Sequence, residues 1–320
     1  PRILFTLGGW ILRVAAVVVV LVYFFLGLRS QPAGLVPWRR LALWASAGFA
    51  AFAGSFLLGK GIPGLLAGYR TAIPFKIFLA TSGVLTFLGG VFLFGALLLL
   101  FGLGWSFGAR AFGSERIPAW LGMPKDYYRD AFWIALGGTG VLIGVRHFLG
   151  ALDVWWPTLH REYPASFSQN LDAIYPAAAV ICGAVLRALY LTGTFALAAS
   201  FLGAELRVRW LRLALFFVLA AALISDWGNA ADFLKEFLGS VLVLGVVVYG
   251  IRWVARFNLL GCFLVAASTA LLSGAVELLT QTDGFYRTQG YGILAALVLL
   301  LGWPLVAWRT APAGQPTPEG

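Results

Sequence analysis

Long apolar blocks separated by short polar interruptions run through almost the whole chain. A membrane-crossing helix needs about 20 apolar residues. Nine blocks approach that length: residues 3–28, 40–58, 75–105, 131–152, 177–202, 211–225, 238–256, 260–279 and 291–308. The sixth is short, and the third is long enough to tilt or to continue past the bilayer. Blocks this long do not fit the roughly ten-residue alternating segments of a transmembrane barrel. The pattern therefore predicts an all-α fold, a polytopic transmembrane helical bundle of about nine spans covering residues 1–309. A Pro/Gly/Thr-rich tail, residues 310–320 (TAPAGQPTPEG), is expected to be disordered. Residues 117–128 (IPAWLGMPKDYY) are too polar to span and read as an interfacial segment.

Composition supports the pattern. Of 320 residues, 61% are hydrophobic and only 11% are charged, against about 25% charged in a soluble domain. Soluble enzymes, disordered chains and disulfide scaffolds are excluded on that ground. Cys182 and Cys262 both lie in apolar runs and read as small core residues. The absence of an initial Met and of a signal-peptide pattern suggests a piece of a longer protein. Trp residues gather near span ends, as interfacial belts do, and Gly137, Gly138, Gly140 and Gly144 offer close approach to a neighbouring helix.

The net charge of +10 is spread over short loops, which points to topology and anionic lipid rather than to nucleic acid. The loops after odd-numbered spans, with the tail, hold 13 of the 23 basic residues, and the other side holds seven. The positive-inside rule then places the C-terminus in the cytoplasm and Pro1 outside. Lys60, Arg70 and Lys76 run against that bias.

Ionisable groups inside spans are costly, so they are the best functional pointers. Arg13, Arg146, Arg187 and Glu277 all fall in the outer half by depth, and His147 adjoins Arg146. One reading is an outward polar pocket in which Arg146 and Arg187 hold a small anion or a lipid headgroup. The other is internal pairing of Glu277 with an arginine while the rest snorkel to the interface.

Recognisable catalytic chemistry is missing. The two histidines, His147 and His160, form no zinc motif, and neither cysteine supplies one, so no metal or cofactor is expected. Ser166, Ser168, His160 and Asp172 share a polar loop but have no triad signature. The loop of residues 155–176 is long for a compact bundle, and its prolines suggest a folded cap.

Residues 61–79 (GIPGLLAGYRTAIPFKIFL) resemble the membrane segment that precedes the peptidase unit in some bacterial proteins of the CAAX-protease and bacteriocin-processing family. The likeness covers about the first third of the chain. It implies a multi-span bundle in the bacterial cytoplasmic membrane, sometimes preceded by an extracytoplasmic domain. The family's catalytic pattern is a Glu-Glu pair followed by Arg, then Phe-x-x-x-His and His-x-x-x-Asn or Asp. Here no Glu-Glu pair occurs, Ile143 and Trp156 stand where Phe is required, and Ala151 and Pro164 stand where Asn or Asp is required. The expectation is a non-catalytic membrane domain acting as scaffold, sensor or anchor for an extracytoplasmic part. The alternatives are a transporter or binding protein for a small anion or lipid headgroup, and a degenerate relative of the protease family.

Overall fold

A computed structural model describes residues 38–59, 61–67, 69, 74–112, 123–155, 171, 173–200, 209–222, 230–256 and 258–310. Among them there is no β-strand. The elements are α1 (Trp38–Leu58), α2 (Gly61–Ala67), α3 (Phe75–Phe112), α4 (Lys125–Trp155), α5 (Pro176–Ser200), α6 (Arg209–Ala222), α7 (Ala230–Tyr249) with a π-helical turn Gly250–Val254, α8 (Leu259–Leu279) and α9 (Gly284–Thr310).

Six of these helices, α1, α3, α4, α5, α8 and α9, are long and apolar enough to cross a bilayer. The first expected span and the tail beyond Thr310 lie outside the described residues. Two other expected spans are not among these six described helices. Helix α6 has 14 residues, about 21 Å at 1.5 Å per residue. Helix α7 begins eight residues before the expected span, and Asp232, Lys235 and Glu236 lie in its first two turns. Residues 125–128, expected at the interface, form the first turn of α4.

The bundle is organised around α8, which packs on α9, α5 and α4. Helices α1, α3 and α5 form a second packed trio, and α5 joins the two groups. Direction follows from which residues meet. Ile134 meets Gly261, Gly138 meets Val265 and Arg146 meets Ser273. The constant difference of 127 makes α4 and α8 parallel. Val180 against Gly274 and Leu279 against Gly290 make α5 and α9 antiparallel to α8. Trp38 and Gly102, Phe49 and Gly90 pair α1 with α3 in opposite directions. The starts of α1, α4 and α8 and the ends of α3, α5 and α9 therefore share one end of the bundle.

Glycines set how closely the helices approach. A methyl group at Gly138 would lie 2.6 Å from Val265, one at Gly193 2.7 Å from Leu100, and one at Gly261 2.9 Å from Ile134. These approaches are tighter than carbon atoms tolerate. Small residues perform this role in membrane bundles, where lipid supplies no hydrophobic drive between helices. Only Gly138 of the five α4 glycines packs this way; around Gly137, Gly140, Gly144 and Gly150 an added methyl meets nothing within 4 Å. The main core collects Leu189, Leu260, Leu264, Phe263 and Phe101, with Trp44 packed edge-on to Phe263.

Candidate functional site

The constant register of α4 on α8 brings one expected residue to a partner. Arg146 donates from Nη1 to Ser273 Oγ at 2.7 Å, and its side chain remains exposed. Glu277 stands four residues after Ser273, one turn on along the same face. Its main-chain oxygen accepts from Thr280 Oγ1 at 2.9 Å and from Gln281 Nε2 at 3.1 Å, which closes the end of α8. Arg287 Nε then donates to the Gln281 carbonyl at 3.0 Å. His147 follows Arg146 on the exposed side of α4.

Arg187 is set apart. With Val180 against Gly274, antiparallel register puts Arg187 level with Ala267. That is six residues, about 9 Å, below Ser273 and ten residues, about 15 Å, below Glu277. Its side chain is exposed, and among the described residues it has no hydrogen bond or ion pair. Arg13 and His160 lie outside the described residues. The structure thus bonds Arg146 to Ser273, one turn before Glu277, and leaves Arg187 nearer the middle of its helix. Among the described residues, no three His, Cys, Asp or Glu side chains converge.

A second polar node sits at the opposite end, where α4 and α8 begin. Asn258 is buried and caps α8 by accepting from Gly261 N at 2.9 Å. Its Nδ2 donates to the Tyr127 carbonyl at 3.0 Å, and the Leu260 amide donates to Tyr127 Oη at 3.2 Å. Two chain segments 131 residues apart are latched by these bonds. Asn directly before an apolar run is a helix-start signal. Tyr127, by contrast, was hidden in a segment whose polarity suggested the interface.

Glutamine and tyrosine perform a similar service at the other end. Gln289 Oε1 accepts from the Ala177 amide at 3.2 Å, and Tyr286 Oη donates to the Leu171 carbonyl at 3.0 Å. Together they tie the start of α5 to α9. Residues 61–79, which carry the family likeness, contribute α2 and the first turns of α3. No family model, curated protein or solved structure matches the chain.

Proposed function

We propose that the chain is a non-catalytic membrane domain that serves as a scaffold, sensor or anchor for an extracytoplasmic part. It crosses a bacterial cytoplasmic membrane nine times and keeps its C-terminus in the cytoplasm. The observation that carries this reading is where the charges stand. Arg146, His147 and Arg187 are exposed, while the interior is filled by small, aliphatic and aromatic residues in close contact. A transporter places its substrate groups at an interior site near mid-bilayer; an anchor needs only a rigid core and an outer surface.

Flux separates the two. In sealed vesicles containing the purified chain, chloride and phosphate should leak no faster than from protein-free vesicles. Flux above that rate, lost on Arg146→Gln or Arg187→Gln, would replace the anchor with a transporter.

One observation favours a second reading, binding of a small anion or lipid headgroup. Ser273 fixes the Arg146 guanidinium in an exposed position, and its further N–H donors bond to no other described residue and can face an anion. Enrichment of anionic lipid in the purified protein, reduced by Arg146→Gln, would support it.

A further inference from the structure

Among the described residues, Arg187 is one that the packing of the bundle does not account for. It lies 11 residues after the start of α5 and 13 before its end, about 16 and 20 Å from the two ends. It is exposed at that depth, although α5 has neighbours in α1, α3, α7, α8 and α9. Bare hydrocarbon is a costly environment for a guanidinium. Snorkelling offers little relief here. Helical side chains lean toward the N-terminus of their own helix, and for Arg187 that end is the one about 16 Å away.

The chain does not supply the missing charge from its described helices. Thirteen acidic residues occur in the sequence, and residues 1–37 contain none. Asp126 and Asp130 lie in the first two turns of α4, and Asp153 lies in its last turn. Asp232 and Glu236 occupy the first two turns of α7, and Glu277 is in the last turn of α8. None stands at the mid-depth of a described helix.

The surface around Arg187 has the form of a helix seat. Gly183, one turn before it, has open space where a side chain would be, and Tyr190, one turn after it, is 54% exposed. Positions 183, 187 and 190 fall on one stripe of α5. A glycine there lets another backbone approach, and the arginine defines what that backbone must carry.

We infer that this stripe of α5 binds a transmembrane helix of another protein, one with a Glu or Asp at mid-span. A second copy of this chain is the poorer occupant, because in a parallel copy Glu277 is about 15 Å from the required depth. The inference rests on the anchoring role proposed above, since an anchor of this kind works by gathering partners in the membrane.

The test uses the full chain in phosphatidylcholine nanodiscs. The probes are two labelled Leu/Ala peptides about 25 residues long, identical except for a central Glu or Gln. The Glu peptide should bind about tenfold more tightly, the scale of interhelical polar contacts in bilayers. Arg187→Gln should remove the difference, and Arg187→Lys should retain most of it. Gly183→Leu keeps the charge and blocks the approach, so it should weaken the Glu peptide by a similar factor even if the Arg187 variants fold poorly. Equal binding of the two peptides, or a Glu preference that survives Arg187→Gln, overturns the inference. So does dimerisation of the chain that depends on Arg187 and that the Glu peptide does not compete. Anion flux is measured in separate vesicles, so failure of the anchor reading and failure of this partner assignment remain distinguishable.

Discussion

Ser273 illustrates how a single hydroxyl gains meaning only through register. In the sequence it is one small residue in an apolar run; in the bundle it receives the Arg146 guanidinium. Interhelical bonds of this kind average about 0.6 kcal/mol and reach about 2. Ser273→Ala should therefore lower stability by about 0.5–1.5 kcal/mol in detergent unfolding, with Arg146→Gln close behind. A double-mutant cycle should return a coupling near 0.6 kcal/mol; simple addition of the two losses would show that the bond contributes nothing. Arg146 was legible in advance, because its charge is anomalous in an apolar block. Its partner was not, since Ser carries no such anomaly and no spacing rule links residues on α4 to residues on α8.

At the level of elements, the strongest local dependence falls on the start of α8. Asn258 combines an N-cap with a bond to the Tyr127 carbonyl. Asn258→Ala removes both and should cost about 1–2 kcal/mol. Tyr127→Phe loses only the bond from the Leu260 amide and should cost less. If Asn258→Ala and wild type unfold at the same temperature in the same detergent, the latch is not holding the two helices. The glycine contacts make a sharper case. Gly193→Leu drives a side chain into Leu100 and should reduce the yield of folded protein far more than Gly140→Leu, which enters open space. Retention on size-exclusion chromatography after mild heating would rank them. Hydropathy located α1, α3, α4, α5, α8 and α9 well, with ends correct to a few residues except where α3, α4 and α9 run on. It set the start of α7 eight residues too late, because an apolar stretch does not reveal where its helix starts. Helix α7 takes in three charged residues before its apolar part.

For the molecule as a whole, the alternating directions of α1, α3, α4, α5, α8 and α9 put Trp38, Arg129 and Arg309 at one end. Reporter fusions at Gln31 and after Arg309 should both report the cytoplasm, and one at Arg161 the opposite side. A cytoplasmic Arg161 would invert the topology. The all-helical class and the membrane setting followed from composition and block length alone. The arrangement around α8 did not, because every apolar block has similar composition and none announces that it will lie inside the others.

That arrangement has a consequence for biogenesis. Among the described elements α4 packs chiefly on α8 and α9, with a lighter contact to α7 where Leu149 meets Gly239, and α8 and α9 are the last two helices made. The ribosome still has 124 residues to add between Trp155 and Leu279, roughly 6–25 s at typical synthesis rates. Throughout that interval α4 waits in the lipid with Gly138 uncovered and with Arg146 short of its hydroxyl partner. A chain stalled or truncated before Asn258 therefore presents an orphan helix to insertases and membrane proteases. Mutations in α8 should therefore shorten cellular half-life more than their effect on the finished bundle would suggest.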